Sequence, residues 1–233
     1  MALPFFYNDN INTDNLVLDE DTSKHVSGVL RMKVGEELLL TDGRGTKATA
    51  VITDDHRKRC AVNIVQRERK EAKKGGVTIA ISLLKNAARF EWFLEKATEM
   101  GVAEIIPLLC QRTEKEKFRH ERLQHIITSA MLQSQQAWMP RLQAPTPFEK
   151  VIKTAPQQHK FIAHCLPQQK QSITHKTIGK GESSIMLIGP EGDFTEGEIE
   201  TALQAGFAPV TLGDTRLRTE TAGMVAAALL CIR

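Results

Sequence analysis

The chain has 233 residues, 41% of them hydrophobic and 25% charged, with a formal net charge of +3; these are ordinary globular proportions at a length that supports a real core. No apolar stretch approaches the ~20 residues that a bilayer-spanning helix needs, and MALPFFYNDN has no basic region ahead of an apolar run, so no secretory leader is expected. Cys60, Cys110, Cys165 and Cys231 stand far apart without a CxxC pair, which fits reduced thiols in a cytoplasm better than a disulfide framework or a zinc site.

In chain order, the N-terminal part reads as short strands: LPFFY, LLLTDG, TKATAVI and CAVNIVQ. DGRG between two of them is a hairpin signal. Alternation in KATAVI, with no long helical period, points to a small β-barrel or sandwich. Charge is uneven here. Residues 1–55 hold five Lys/Arg against ten Asp/Glu, whereas HRKRCAVNIVQRERKEAKKGG holds eight against two. Such a run is either the footprint of a nucleic-acid contact or a strand edge protected by Lys and Arg. RKEAKKGG, charged and ending in two glycines, reads as a linker. The expected domains are therefore 1–73 and 74–233.

Beyond the linker the pattern changes. VTIAISLL is a strand of the buried kind, and NAARFEWFLEKATEMG follows with Phe90, Phe93, Leu94, Ala97 and Met100 at helical spacing and Gly101 placed to end the helix. AEIIPLL is a strand; FRHERLQHIITSAMLQSQQA is a helix, apolar at Leu123, Ile126, Ile127, Ala130 and Met131. KFIAHC, SSIMLIG and PVTLG supply further strands, and FTEGEIETALQAG a helix with a Thr195/Glu198 capping box and Gly206 at its far end. Strands alternating with helices predict an α/β fold with a mostly parallel sheet.

Two turns stand out near the end. IGPEGDF follows an apolar strand, at the carboxyl end where ligands of open α/β sheets collect. Gly189 and Gly192 would let backbone approach a flat ligand, although the spacing matches neither GxGxxG nor a Walker loop. GDTRLRTE then leads into TAGMVAAALLCI, whose alanines fit either close packing all round or simple helix propensity. Arg216, Arg218 and Glu220 lie at that loop–helix junction, where they would meet a charged ligand or form a structural ion pair.

LIGPEGDFTEGEIE followed by VTLGDTRLRTETAGMVAA resembles the signature pair of the ribosomal RNA small subunit methyltransferase E family, of the SPOUT class, whose C-terminal sheet carries a trefoil knot. The resemblance extends through RFEWFLEKATEMGVAEIIPL and MLQSQQAWMP to HVSGVLRMKVGEELLLTDGRG, nearly the whole chain. It implies two knot loops holding S-adenosyl-L-methionine through Ile188, Gly189, Pro190, Glu191 and Gly192, and through Leu212, Gly213, Leu217, Arg218 and Thr219. The chain departs from the family pattern at Asp193, at Asp214, Thr215 and Arg216, and at Leu132 and Gln136 beside Gln133.

The implied reaction is formation of 3-methyluridine in the decoding region of 16S ribosomal RNA. Uracil N3 loses its proton only above neutral pH, so a cation is wanted to stabilise the anion. Arg218 is expected in that role, with Glu220 orienting it or accepting the proton. Attack through the nitrogen lone pair needs no cysteine adduct. An N-terminal PUA-like module would grip the RNA, with Arg31, Arg44 and Gln133 as candidate contacts and Arg67–Lys74 adding non-specific affinity. His25 matches a family position but is expected to serve packing. His159 and His164 should point to opposite sides of one strand, and no metal is expected. A homodimer is implied, to which the Ala-rich helix and an exposed apolar Trp138–Met139 surface would contribute. Alternatives are a knotted methyltransferase acting on another RNA, or a non-catalytic RNA-binding relative in which Asp193 and Asp214 mark a degenerate pocket. A nicotinamide oxidoreductase is disfavoured by the missing GxGxxG.

Overall fold

The computed structural model describes residues 3–72, 74–114, 117–167 and 170–232. Its contacts separate two compact units, one made of Met1–Ala72 with Met131–Met139 and the other of Lys73–Ala130 with Pro140–Arg233.

The first unit runs β1 (Phe5–Tyr7), β2 (Asn15–Val17), α1 (Glu20–Lys24), a π-helical turn (His25–Val29), β3 (Glu37–Thr41), β4 (Thr46–Asp54) and β5 (Ala61–Arg69). These strands form a five-stranded sheet in the order β1-β3-β4-β5-β2, with β1 parallel to β3 and the other pairs antiparallel. Alternation decides which side chains turn inward: Leu38 and Leu40, Ala48, Ala50 and Ile52, and Val62 and Ile64 enter one core with Phe6, Leu18 and Val26. The short helical stretch over 20–29 departs from the all-strand expectation, because it is shorter than the window in which helical periodicity can be counted.

The DGRG hairpin is built by Asp42, whose Oδ1 accepts from the backbone N–H of Arg44 at 2.8 Å and of Thr46 at 3.0 Å. Burial pushes the Asp42 carboxyl up, but those N–H groups, the Thr46 hydroxyl and the Arg44 charge outweigh it and hold it below its usual range. Gly43 and Gly45 take left-handed φ of 65° and 98°. The indole of Trp138 fills the space where a Gly45 Cβ would stand. Its Nε1 donates to the Lys70 carbonyl at 3.1 Å, and the Arg69 guanidinium lies over the ring, 5.2 Å from its centroid. Trp138 and Met139 are thus half-buried against the hairpin, which corrects the expectation of an exposed apolar surface.

The second unit runs β6 (Val77–Ser82), α2 (Ala87–Glu99), β7 (Glu104–Leu109), α3 (His120–Gln133), β8 (Arg141–Leu142), β9 (Thr146–Pro147), α4 (Phe148–Thr154), β10 (His159–Ala163), β11 (Gln171–Ser172), β12 (Ser184–Ile188), α5 (Glu196–Gln204), β13 (Ala208–Thr211) and α6 (Thr219–Cys231). The last turn of α3 belongs to the segment Met131–Met139 and groups with the first unit. The sheet order is β11-β13-β10-β12-β6-β7-β8, with β9 beside β7, and every pair is parallel.

Every residue of β6 and β12 is buried, as befits central strands of a parallel sheet covered on both faces. Ala80, Ile162, Ile185 and Leu187 meet Phe148, Val151 and Ile152 of α4 and Ile199 and Ala202 of α5. Toward α6, Gly223 leaves room for Ile81 and Phe93, each 2.7 Å from where its Cβ would be. The small residues of α6 therefore permit close packing on β6 and α2, as the first of the two sequence readings expects. Asn86 caps α2 by accepting from the Ala88 N–H at 3.0 Å, and Gly101 leaves it with φ 84°. In α5 the capping box forms: Thr195 Oγ1 accepts from the Glu198 N–H at 3.2 Å, and Glu198 Oε2 accepts from the Thr195 N–H at 2.8 Å.

β10 lies between β12 and β13. The β12–α5–β13 connection therefore steps across β10, after which α6 returns to β6 and β12. This crossing brings the loops after β10, β12 and β13 together.

Candidate active site

The carboxyl ends of β10, β12 and β13 open onto a cavity of about 370 Å³, the position where α/β sheets bind ligands. Ala163, His164 and Cys165 line it from β10, Ile188–Glu191 and Asp193 from β12, and Val210–Gly213 and Thr215–Thr219 from β13, with Ala222 of α6 and Arg89 of α2. Of the residues implied by the family pattern, Ile188, Gly189, Pro190, Glu191, Leu212, Gly213, Leu217, Arg218 and Thr219 lie in this lining. Gly192 does not. Its carbonyl turns to Arg112, accepting from Nη1 at 2.7 Å.

The two outer turns owe their shapes to different causes. A Cβ on Gly189 would sit 3.1 Å from the Phe194 ring and backbone nitrogen, so the space left there is used by the chain itself. Gly213 has open space around it but φ 144°, a conformation that side chains resist. The Thr211 hydroxyl donates to the Gly213 carbonyl at 2.7 Å.

Asp193 takes φ 63°, the left-handed region that Gly enters freely and Asp tolerates better than most residues. Its Oδ1 accepts from the Phe194 N–H at 2.8 Å and its Oδ2 from the Cys165 N–H at 2.7 Å. The left-handed turn is thus kept, and the side chain adds a tie to the neighbouring loop. Glu191 Oε1 accepts from the Lys85 N–H at 3.2 Å.

Arg218 lies at the cavity as the N-cap residue of α6, with no side-chain capping bond. Glu220 is buried in the first turn of α6, outside the lining, and its Oε1 stands 3.6 Å from Arg89 Nε. Glu220 is therefore paired with Arg89 rather than with Arg218. Sequence reasoning misses Arg89. It begins the family-like stretch RFEWFLEKATEMG, but the helical signal of that stretch lies in its apolar spacing, and a charged residue next to Phe90 adds nothing to it.

His164 is likewise missed as a cavity residue. It is 7% exposed, and neither ring nitrogen has a hydrogen-bond partner among the described residues. Burial holds its imidazole below the usual range, helped by the Lys170 charge and opposed by Asp193. His159 is bound elsewhere, its Nε2 2.6 Å from Glu182 Oε2. Burial pushes the Cys110 thiol far up, so it stays protonated and unreactive. Among the described residues no group of three or more His, Cys, Asp or Glu is placed to hold a metal ion.

Arg31, Arg44 and Gln133 all lie exposed in the first unit. Arg31 has φ 57°, and an Arg44 guanidinium nitrogen donates to the Asp9 carbonyl. Within the basic segment, Arg67 is used internally: its Nε, Nη1 and Nη2 reach Ile11 O, Asp14 Oδ1 and Thr13 O at 2.9, 2.7 and 2.8 Å. Lys73 lies outside the described residues. Gln136 Nε2 donates to the Ser134 hydroxyl at 3.0 Å. His25 meets Phe6 edge-on, 5.6 Å between centroids, which is a packing contact. No helix among the described residues is long and apolar enough to cross a membrane.

Comparison with known proteins assigns the chain to the RNA methyltransferases. A family model described as an RNA methyltransferase domain matches residues 70–231, and one described as an RNA methyltransferase PUA domain matches residues 18–65. The Ribosomal RNA small subunit methyltransferase E of Synechocystis is 30% identical over 209 residues, 88% of this chain and 68% of that protein. A probable rRNA-methyltransferase from Porphyromonas gingivalis superposes with TM-score 0.91 at 39% identity, covering 99% of this chain and 100% of that one. The Ribosomal RNA small subunit methyltransferase E of Neisseria gonorrhoeae, solved bound to S-adenosyl methionine, gives TM-score 0.86 at 28% identity, covering 97% and 96%. The chain belongs to the ribosomal RNA small subunit methyltransferase E family. Its fold is of the expected class, a small PUA-like β unit followed by an α/β unit with a parallel sheet.

Proposed function

We propose that this protein methylates N3 of a uridine in the decoding region of 16S ribosomal RNA, using S-adenosyl-L-methionine bound in the cavity at the ends of β10, β12 and β13. The observation that carries the assignment is that nine of the residues matching the family's donor loops, from Ile188 to Thr219, line one cavity. The donor fits what these residues offer: a pocket of about 370 Å³, apolar walls at Ile188, Val210 and Leu217, and a buried imidazole with unpartnered nitrogens. When bound, it supplies an electrophilic methyl group on a sulfonium.

The chain's own residues do the rest. Ile188–Glu191, Leu212, Gly213 and Leu217–Thr219 bind and orient the donor. Arg218 stabilises the N3 anion with a positive charge already in place, reinforced by the N–H groups opening α6. Glu220, held by Arg89, orients that cationic wall or accepts the N3 proton, while the donor leaves as its thioether. Holding N3 and the methyl carbon in line provides much of the acceleration. Arg31, Arg44 and Gln133 contact the RNA, and exposing the base precedes its reaction. A homodimer belongs to the same proposal, with the half-buried apolar Met224, Val225 and Ala228 of α6 as its supporting surface.

The test is mass spectrometry of 16S RNA from cells lacking the protein. Loss of 3-methyluridine, restored by the wild-type gene and not by Arg218→Ala, is the expected result. A non-catalytic relative is disfavoured because Asp193 preserves the turn instead of degrading it.

A further inference from the structure

Ala163, His164 and Cys165 form the β10 side of the cavity, and charged groups hold the segment His164–Leu166 at separate points. Asp193, from the loop after β12, accepts the Cys165 N–H through Oδ2 at 2.7 Å. Lys170 donates from Nζ to the His164 carbonyl at 2.6 Å and to the Leu166 carbonyl at 2.9 Å. The segment thus has a carboxylate on one of its N–H groups and an ammonium on two of its carbonyls. Bonds to charged partners are the stronger class. The other oxygen of Asp193 is fixed by the Phe194 N–H at 2.8 Å, and Phe194 itself is anchored in the core, 1% exposed. The chain of contacts therefore runs from the core through Asp193 to the opposite cavity wall.

We propose that Asp193 is a positioning residue that locks the segment after β10, itself braced by Lys170, against the loop after β12, so that the donor cavity is formed before the donor arrives. A glycine can take the φ of 63° seen at Asp193 but can make neither side-chain bond. A chain with glycine here would have to order the same wall on binding, and that ordering lowers affinity. The inference rests on the reading of the cavity as the methyl-donor site.

The substitution that isolates the side chain is Asp193→Gly, since it leaves the backbone free to keep its conformation; Asp193→Asn keeps an acceptor oxygen. Calorimetric titration with S-adenosyl-L-methionine and with its demethylated thioether product is compared across wild type and both variants. Hydrogen exchange at the Cys165 amide is measured on the ligand-free proteins. Asp193→Gly should bind both ligands about tenfold more weakly and exchange the Cys165 amide faster, with Asp193→Asn in between. Unchanged affinity in Asp193→Gly overturns the proposal. So does weakening confined to the sulfonium ligand, which would make Asp193 a direct charge partner instead of a brace. Wild-type protein that binds neither ligand would refute the donor-site reading, while the Cys165 exchange rates would still decide whether the brace exists.

Discussion

Gly213 and His164 are cavity residues whose behaviour follows from one physical cause each. Gly213 has φ 144° with nothing within 4 Å of the point where a methyl group would stand, so Gly213→Ala adds backbone strain without a clash. A loss of about 1–3 kcal/mol is expected, read as a lower denaturation midpoint or, if the loop relaxes instead, as weaker donor binding by titration. His164 titrates below the ordinary imidazole range in the folded protein, through burial first and Lys170 second. As pH falls through that range the unfolded chain takes up the proton first, so stability declines below about pH 6.5 until the folded imidazole also protonates. Urea unfolding of wild type and His164→Phe between about pH 5 and 8 checks the sign: the variant should lose that part of the slope. At this scale the sequence is readable where a residue acts through its own backbone, as at Gly101, which ends α2 with φ 84°. It is unreadable where the partner comes from another strand, as with the Asp193–Cys165 tie or the Arg89–Glu220 pair.

At the scale of elements, α6 depends on what it leaves out. A methyl group at position 223 would meet Ile81 and Phe93 at 2.7 Å, so Gly223→Ala must displace those side chains or α6 itself. Overpacking of this kind costs about 1–3 kcal/mol, and because α6 starts at the cavity, donor affinity should fall with stability when both are measured on one preparation. Thr195→Ala removes half of the α5 capping box and should cost about 1 kcal/mol in chemical denaturation, without moving the cavity residues. The capping box, the apolar face of α2 and the buried strand β6 are all legible, since each is written in a local run of residues. The two-residue strands β8, β9 and β11 are not, because a strand that short has no alternation to display. The order in which strands pair escapes sequence for a related reason. Nothing in the composition of β10 says that it will lie between β12 and β13.

On the scale of the whole molecule, the arginines divide into those bonded within the fold and those left exposed. Arg67 commits its whole fork to Ile11, Thr13 and Asp14, so Arg67→Ala should destabilise the protein and leave the salt dependence of RNA binding as it was. Arg31→Ala should do the opposite, reducing the slope of log affinity against log salt by about 1 with no change in melting temperature. Filter binding at several salt concentrations separates the two. The basic run around Arg57–Lys74 reads equally well as RNA footprint or strand protection, and the side-chain partners that decide the matter are supplied by loops distant in sequence. Trp138 belongs to the same class of long-range partner, and it changes what a fragment of this protein can be. Expression of residues 1–73 alone, the obvious cut from the amino-acid order, would produce a piece lacking its indole plug, with the glycine notch of the DGRG hairpin and the Lys70 carbonyl laid open to water. A synthetic peptide spanning 131–139 should bind such a piece and raise its melting temperature, as an excised cork restores the bottle it was cut for.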